Sequence, residues 1–577
     1  MRTDIIQIQQ IVSLLKQYNI KHLVLSPGTR HVPLVHIVEM DSFFHCYSVV
    51  DERSAAYVAL GLAEALGQPV GFACTSATAT CNYMPAMKEA FERNIQLVAL
   101  TADKQRYIRF HGASQVINQV DMYKPFARYS VDLPIIKNKM DEWYSNRSIN
   151  EALLELDHHG KGPVQINFLE PEDINELATF KKGEMPHCRK IDRVDSLDNI
   201  ENYKEQLKKK QRILVICGQN SEISDTLTLS LKKFFEKYNC VITYDNFSNV
   251  TDKEFILSPL LGVTLNREEA KNLAPDLIIT YGAKPYSTLI RHFKGKGIEH
   301  WDVNPEGKVF DTSMSLSKIF ECQPTLFFDE ISKVTLSNNK CYLDKWLKTL
   351  SSRDASVNEF TNYYAVKRVL NSLPKGCNIH ASVLNSMKFT NMCNLPTNTF
   401  ATGNICTDGI DGALSTFLGQ ASLFKSLSLL IIGDLSYLYD LNASITDFNN
   451  NVRILLVNNQ AGGEFHFNIG KQKISTLDRH IAASHTTRIE NVIGLTNLHY
   501  LHAGDKSELE RNIPEFLSES KYPILMEVFT NAEFDGISLR KIFRDNTPVS
   551  VSNKVAGCIS KLFGASVKNK IKEIIYG

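Results

Sequence analysis

Short runs of apolar residues alternate with longer amphipathic segments along the first part of the chain. The runs HLVLS, VGFACTS and IQLVALTAD have the length of buried strands, and helical patterns such as VALGLAEALG and residues 82–93 lie between them. Strands that alternate with helices favour a parallel sheet with helices on both faces. The pattern therefore predicts an α/β domain over 1–180.

The same alternation returns twice. A charged segment with few large apolar residues, 181–211, predicts a linker with an exposed helix, and the strands RILVICG, PDLIITYGA and IEHWDVN predict a central Rossmann-like domain over 212–350. This region lacks the complete G-x-G-x-x-G fingerprint of dinucleotide binding. A third α/β domain is predicted over 351–577. We therefore expect an α/β fold of three doubly wound parallel-sheet domains.

Composition narrows the class of protein. Of the 577 residues, 43% are hydrophobic and 22% are charged, with a net charge of +1, which is typical of a globular protein and favours no nucleic-acid partner. The amphipathic start of the chain lacks the apolar run of a signal peptide, and no run of about eighteen apolar residues predicts a membrane helix. Twelve scattered cysteines without C-x-x-C pairs predict reduced thiols. We expect a cytoplasmic protein.

Two polar segments follow apolar strands near the end of the chain. Asp434, in GDLSYLYDLN, comes directly after the strand LLII, and Asn459 lies in VNNQAGGEF. Carboxylate and amide oxygens are ligands that Mg²⁺ prefers. The two segments therefore predict a metal site that can hold a diphosphate.

Glu52 carries the second chemical signal. It lies in SVVDERSAAYVALGLAEALG, where we expect it to end an apolar strand and begin a helix whose small face is Ala56, Ala59 and Ala63. A partly desolvated carboxylate can exchange a proton with a ring nitrogen. Taken alone, a Glu at a helix start is also typical of a residue that stabilises the helix dipole.

Glu52 and the metal segments together resemble the thiamine-diphosphate enzymes of the pyruvate oxidase and decarboxylase type. Within that group the chain is identified as resembling the synthase family of the menaquinone pathway. The resemblance covers essentially the whole sequence. It rests on the segments SPGTRHVPL, VVDERSAA, CTSATATCNYMPA, LTADK, HGASQVINQ, GIDGALSTFLG and GDLSYLYDLN.

This resemblance implies a cofactor site for thiamine diphosphate and Mg²⁺. Glu52 would activate the cofactor, Asp434 and Asn459 would bind the metal through their side chains, and Ala461 would bind it through its carbonyl in place of the family's Gly. Ile410 would hold the cofactor bent, although it also fits an ordinary core position. The remaining cofactor contacts implied are Ser382, Gly433, Leu435 and Ser436.

The resemblance also implies substrate contacts. Arg30 and Gln115 would act on the acceptor, and Glu464, which stands in place of a family Ile, would move protons near the cofactor. An exposed loop is the alternative for Glu464 and His466. The substrate-binding set implied by the motifs is Arg30, Lys104, Ser114, Gln115, Ser382, Lys388, Phe465 and His466.

Three cationic positions of the family are absent, two on the donor side and one on the acceptor side. Ser386 and Ile405 stand where the resemblance implies arginines, one of which would anchor the far carboxylate of 2-oxoglutarate, and Thr288 stands in place of a Lys that would meet the acceptor's carboxylate. Loss of a charged contact to a substrate carboxylate costs about 2–5 kcal/mol. We therefore expect a donor other than 2-oxoglutarate, although Lys388 offers a compensating charge.

The sequence thus predicts a decarboxylating, C–C bond-forming transferase that joins a 2-oxo acid to an anionic or polyhydroxylated acceptor. The family resemblance implies a homo-oligomer in which two chains complete each active site. The alternatives are a simple 2-oxo acid decarboxylase or acetolactate-type synthase, and a catalytically silent paralogue that binds the cofactor. Intact Glu52, Asp434 and Asn459 argue against the silent paralogue.

Overall fold

The computed structural model describes residues 3–169, 180–445, 447–472, 474–494 and 496–548. These residues fall into two compact units, one drawn from Met1–Val194 with Lys308–Ile319 and the other from Asp195–Gly307 with Phe320–Gly577. Within the described ranges, no helix is both long enough and apolar enough to cross a bilayer.

The first unit contains a six-stranded sheet in the order β2-β1-β3-β4-β6-β5, with every pairing parallel. Its strands, with one further short strand, are β1 His22–Leu25, β2 His45–Ser48, β3 Val70–Cys74, β4 Leu97–Asp103, β5 Tyr129–Asp132, β6 Val164–Leu169 and β7 Asp192–Val194. The helices are α1 Ile6–Gln17, α2 Val32–Glu39, α3 Glu52–Leu66, α4 Thr78–Asn82, α5 Met84–Glu92 and α6 Lys139–Leu154.

Helix α3 forms because of its caps and its small face. The Asp51 carboxylate accepts a hydrogen bond from the Ser54 amide at 2.8 Å, and the helix ends at Gly67, whose φ of 63° suits a residue without Cβ. Its buried face carries the predicted alanines and packs on β1 and β3. The expectation that Glu52 ends a strand is wrong, because β2 stops at Ser48.

The second unit begins with a parallel sheet in the order β10-β9-β8-β11-β12. These strands and the one that follows them in the chain are β8 Ile213–Cys217, β9 Cys240–Tyr244, β10 Ile256–Leu257, β11 Leu277–Tyr281, β12 Glu299–Val303 and β13 Leu316–Phe320. The helices of this part are α7 Ile200–Lys208, α8 Asp225–Lys237, α9 Pro259–Thr264, α10 Arg267–Asn272, α11 Pro324–Ile331 and α12 Cys341–Leu350.

Two glycines allow the turns that end the central strands. A Cβ at Gly218 would lie 2.0 Å from the Ala283 carbonyl, and Gly282 has a φ of 79°. The helix predicted in 181–211 is present as α7, but it is only partly exposed, because Lys204 and Leu207 are buried. The strand β7 in the same segment is not evident from its charged sequence. The domain boundaries themselves stay a prediction.

The last sheet has the order β15-β14-β16-β17-β19-β18 and is again parallel throughout. Its strands are β14 Asn378–Ala381, β15 Phe400–Gly403, β16 Ser428–Gly433, β17 Val452–Asn458, β18 His499–Ala503 and β19 Ile524–Phe529. Its helices are α13 Asn362–Asn371, α14 Asn385–Asn391, α15 Ala413–Ala421, α16 Asp434–Tyr439, α17 Gly463–Ile469, α18 Glu490–Ile493, α19 Lys506–Leu517 and α20 Ala532–Asp545. Short helical turns link some elements: Arg106–Ile108, Lys124–Phe126, Asn246–Ser248, Leu289–His292, Leu441–Ile445, Gly470–Gln472 and Leu477–Ile481.

The first and last sheets share one strand permutation, in which the first strand of each lies between the second and the third. The three parallel sheets confirm the predicted α/β fold. In such sheets the chain reverses direction across the sheet between the first and third strands, and ligands bind outside the carboxyl ends of the strands at that point. Residues that follow β14 and β16 are therefore where a site is expected.

Candidate functional site

The carboxyl ends of β14 and β16 bring two serines together. Ser382 directly follows β14, and Ser436 lies in the first turn of α16, which directly follows β16. Their hydroxyls lie 2.9 Å apart, and the Ser436 hydroxyl also lies 2.6 Å from the carbonyl of Ile410, to which it donates. This network fixes the loop that carries Ile410 against the strand ends.

Asp434 is the buried carboxylate of the site. It directly follows β16 as the first residue of α16, and it is only 3% exposed. One oxygen, Oδ1, accepts a hydrogen bond from the Leu435 amide at 2.8 Å, whereas Oδ2 has no aligned hydrogen-bond partner. The His485 ring lies 3.3 Å from Oδ2, and this contact raises the pKa of the imidazole.

Asn459 follows β17 and lies beside a carboxyl group that the sequence did not single out. Asp535, on α20, accepts hydrogen bonds from the Thr530 hydroxyl at 2.7 Å and the Asn362 amide at 3.0 Å. Burial raises the pKa of Asp535 to about 6, and a hydrogen bond with the Asn459 side chain opposes the rise. A Cβ at Gly463 would lie 2.5 Å from Asn459 Nδ2, so a side chain at this position would displace the Asn459 amide.

Ser382, Asp434, Ser436 and Asn459 line one cavity of about 310 Å³ in the second unit. Every residue that the sequence assigned to the cofactor or the metal in this part of the chain lines it. Asn362, Val366 and Phe389 line it as well, and the sequence did not suggest them. They come from α13 and α14, whose apolar residues read as ordinary core positions.

The lining fits a divalent cation and a diphosphate. The buried Asp434 carboxylate has an oxygen without a hydrogen bond, and Asn459 lies in the same lining with an amide oxygen that Mg²⁺ can bind. Ala461 is buried in the same wall, where a backbone carbonyl can serve as a third oxygen ligand. Two serine hydroxyls and Gly433 border the space in which phosphate oxygens would lie.

The segment after Ala461 forms α17, in which Gly463 and His466 are buried. Glu464 and Phe465 line the cavity, and the Glu464 carboxylate lies 2.6 Å from Lys388 Nζ. His466 is only 8% exposed, and its ring lies 3.0 Å from Asp478, away from the residues that line the cavity. The alternative in which a loop exposes both Glu464 and His466 is therefore wrong. The substrate role of His466 stays a prediction.

Two of the three positions without the family's cations line a second cavity next to the first. Ile405 and Thr288 border this cavity of about 280 Å³, together with Lys284 and Lys388, whereas Ser386 lines the first cavity. The lysine predicted as a compensating charge thus borders this second cavity, where its partner is Glu464.

The first unit carries the remaining predicted residues. Glu52 is the first residue of α3 and is half-buried, and its Oε2 accepts a hydrogen bond from the Asn82 side chain at 3.3 Å. Asn82 ends α4, so the hydrogen bond links the start of α3 to the end of α4. The role of Glu52 stays a prediction.

Arg30 and Gln115 lie together in the first unit. Arg30 donates to Gln115 Oε1 at 3.1 Å, and the backbone carbonyl of Gln115 accepts from the Ser76 hydroxyl at 2.9 Å. Lys104 Nζ donates to the Ser114 carbonyl at 3.1 Å. The four residues predicted to bind the acceptor are thus joined in pairs on neighbouring loops.

An ion pair missed by the sequence reading supports these loops. Asp103, at the end of β4, is fully buried and pairs with Arg109 at 2.5 Å, and Asn167 donates to the same carboxylate at 3.1 Å. Burial raises the pKa of Asp103, and its hydrogen bonds oppose the rise. The sequence LTADK shows the acid but gives no sign of its partner.

Comparison with known proteins agrees with this geometry. A family model described as "Thiamine pyrophosphate enzyme, N-terminal TPP binding domain" matches residues 8–122. The chain is also similar to three proteins named 2-succinyl-5-enolpyruvyl-6-hydroxy-3-cyclohexene-1-carboxylate synthase. The one from Bacteroides fragilis (strain ATCC 25285) is 32% identical, with 94% of this chain and 99% of that protein covered.

The other two relatives extend the likeness. The Bacteroides thetaiotaomicron protein is 32% identical over the same shares of both chains. The Flavobacterium johnsoniae protein is 28% identical over 93% of this chain and 98% of its own length. The similarity therefore covers all three sheets and not the N-terminal part alone.

Proposed function

The chain belongs to the family of 2-succinyl-5-enolpyruvyl-6-hydroxy-3-cyclohexene-1-carboxylate synthases. Within this family, we propose that it joins a 2-oxo acid other than 2-oxoglutarate to an anionic or polyhydroxylated acceptor. The family's chemistry is a decarboxylation coupled to C–C bond formation, with thiamine diphosphate and Mg²⁺ as cofactors. The proposal concerns the two substrates, the roles of individual residues and the assembly.

The cavity at the ends of β14, β16 and β17 is the observation that carries the proposal. Asp434, Asn459 and Ala461 would hold the metal, and Ser382, Gly433, Leu435 and Ser436 would border the diphosphate. Bound thiamine diphosphate supplies a ring that accepts the electron pair released when the 2-oxo acid loses carbon dioxide. Ile410, fixed by Ser436, would orient the cofactor.

Glu52 would move the proton that activates the cofactor. Its carboxylate lies at a helix start, held by Asn82, with the buried small face of α3 behind it. Proteins of this cofactor class act as oligomers, and we propose that Glu52 of one chain reaches the cavity of a second. The exposed side chains of Val50, Tyr57 and Val58 beside Glu52 are consistent with a covered surface there.

The Arg30–Gln115 contact supports an anionic or polyhydroxylated acceptor. Arg30 offers a charged fork that binds a carboxylate, and Gln115 and the neighbouring Lys104 offer further polar contacts to an acceptor. Ser114 in place of the family's Asn leaves a shorter side chain at this position, which is compatible with an altered acceptor.

Cofactor binding tests the first half of the proposal. Thiamine diphosphate with Mg²⁺ should raise the melting temperature of the purified protein, and Asp434→Asn should abolish most of that rise. Asp447→Asn, which changes an exposed acid in the same part of the chain, is the matched control and should keep the rise. If the cofactor does not change the melting temperature of the wild-type protein, the proposed site is wrong.

A panel of 2-oxo acids and acceptors tests the second half. Carbon dioxide release that depends on an acceptor supports the ligase, whereas equal release without any acceptor supports the simple decarboxylase. The relatives' shared name favours neither that decarboxylase nor the silent paralogue. Residence in the cytoplasm stays a prediction, which fractionation of the source cells would check.

A further inference from the structure

The second cavity adjoins the cofactor cavity. Both are lined by Leu384, Asp408 and Glu464. Its volume of about 280 Å³ is near the lower bound of small-molecule pockets, about 300 Å³. A 2-oxo acid that reacts in the first cavity can therefore extend its side chain into the second.

Most of the second cavity is apolar. Aliphatic, sulfur-containing and aromatic side chains form its wall, from α9, α14, α20 and the loop after β15. The apolar lining residues include Pro259, Val263, Met387, Met392, Ile405 and Phe543, and Tyr286 and Thr288 add hydroxyl groups to the wall. The apolar part of this wall gains free energy by covering an apolar side chain and offers no hydrogen bond to a carboxylate.

The charged groups of the second cavity are two lysines and two acids, so their formal charges cancel. Lys388 Nζ contacts the Glu464 carboxylate at 2.6 Å and Asn385 Oδ1 at 3.3 Å, and it lies 4.4 Å from the centre of the Phe467 ring. Two of the three N–H donors of the ammonium group are thus used by Glu464 and Asn385, and the Phe467 ring lies beside its charge.

The second lysine is engaged as well. Lys284 Nζ donates to the Ile405 carbonyl at 3.2 Å and lies 3.8 Å from the Asp408 carboxylate. A substrate carboxylate that binds Lys388 would have to take the place of the Glu464 carboxylate. If it displaced Glu464, that acid would stay in a largely buried site without its counter-charge.

We propose that the donor is a 2-oxo acid with an uncharged, apolar side chain, and that the Lys388–Glu464 pair excludes donors with a second carboxylate. This inference rests on the proposed function, since it names the donor of that reaction. The pair determines specificity because Glu464 forms an ion pair with Lys388 and also repels a second carboxylate on the donor.

The wild-type holoenzyme provides the first test. With thiamine diphosphate and Mg²⁺ present, carbon dioxide release should be measured for 4-methyl-2-oxopentanoate and for 2-oxoglutarate, with the same acceptor panel. We expect kcat/KM for the apolar donor to be greater by about tenfold or more. Equal values, or a preference for 2-oxoglutarate, would overturn the inference.

Charge removal provides the second test. Glu464→Gln frees Lys388, so kcat/KM for 2-oxoglutarate relative to the apolar donor should rise by about tenfold. Glu510→Gln, which breaks the exposed Arg368–Glu510 pair elsewhere in the same unit, is the matched control and should leave this ratio unchanged. An unchanged ratio in folded, cofactor-binding Glu464→Gln would contradict the role of the pair.

A double variant covers the case in which Glu464→Gln does not fold. Lys388→Met with Glu464→Gln removes both charges, and the preference for the apolar donor should persist. A selective loss of 2-oxoglutarate turnover in this variant would mean that Lys388 binds the second carboxylate, which overturns the inference.

Different results would contradict the proposed function and the inference about the donor. A wild-type protein that gains no thermal stability from the cofactor fails the proposed function. A protein that binds the cofactor and prefers 2-oxoglutarate fails only the inference about the donor. Binding of the cofactor without carbon dioxide release from either donor overturns both.

Discussion

The hydroxyls of Ser382 and Ser436 lie 2.9 Å apart and join the carboxyl end of β14 to the first turn of α16. Because Ser436 also donates to the Ile410 carbonyl at 2.6 Å, one side chain fixes two walls of the cofactor cavity. The two serines are far apart in the sequence, and their contact depends on the order of the strands.

Ser436→Ala should weaken cofactor binding. The variant leaves the Ile410 carbonyl without its donor, which costs about 1–3 kcal/mol, and we expect the dissociation constant of thiamine diphosphate to rise by about tenfold. Titration calorimetry measures this constant. Ser415→Ala removes a comparable hydroxyl, which donates to Asp440 at 2.8 Å outside the cavity lining, and should leave the constant unchanged.

Gly463→Ala should disturb the predicted metal ligand. Its new Cβ would lie 2.5 Å from Asn459 Nδ2, so the amide must move. We expect the Mg²⁺ concentration for half-maximal cofactor binding to rise by about tenfold, a loss of about 1.4 kcal/mol. Gly419→Ala adds a Cβ with no neighbour within 4 Å on α15 and should keep the wild-type value. A normal Mg²⁺ dependence in Gly463→Ala would remove Asn459 from the metal site.

Glu52→Gln should abolish turnover without unfolding the protein. Proton transfer by a positioned side chain contributes about 10²–10⁴-fold to rate, so kcat should fall by about that factor. The neutral amide can still contact Asn82, so the melting temperature should change little. Glu64→Gln, on the exposed face of the same helix, should retain activity. Unchanged turnover in Glu52→Gln would contradict the proposed role.

Asp302 should make the protein less stable as pH rises. Burial raises the pKa of this carboxyl to about 7, and hydrogen bonds from Thr280 and Asn304 oppose the rise. The pKa of an Asp in the unfolded chain is near 4, so folding disfavours ionisation of Asp302. The free energy of unfolding is therefore highest below about pH 4 and falls as the pH rises to about 7. The loss is at most about 4 kcal/mol.

Asp302→Asn removes this dependence. Its melting temperature at pH 8 should exceed that of the wild type, and the difference should shrink toward pH 4, as measured by scanning calorimetry. The exposed Asp198→Asn is the control and should follow the wild-type profile. A lower melting temperature for Asp302→Asn at pH 8 would contradict the assignment.

Local patterns in the sequence were sufficient for much of the fold. The apolar run before Asp434 forms β16, the alanines of α3 form a buried face, and glycines follow β8 and β11 where strands turn sharply. These features depend on neighbours in the chain, so their periodicity and turn chemistry are visible in sequence. The motifs around Asp434 and Asn459 likewise indicated the cofactor.

The partners of the site residues were not visible in the same way. Asp535 supports Asn459 from α20, and Asp103 holds Arg109, yet nothing in their local sequence indicates these contacts. The sequence around Glu464 was equally compatible with an exposed acid and with an acid near the cofactor. Its burial depends on the packing of α17 against α20.

The sequence by itself determined the parallel α/β domains, the cofactor and the loss of three family cations. Only the tertiary structure decided what took the place of those cations. Lys388 and Glu464 meet at 2.6 Å because α14 follows β14 and α17 follows the loop after β17, and the strand order puts both beside one cavity. Charges so far apart in the chain are independent of each other until folding brings them into the same low-dielectric space.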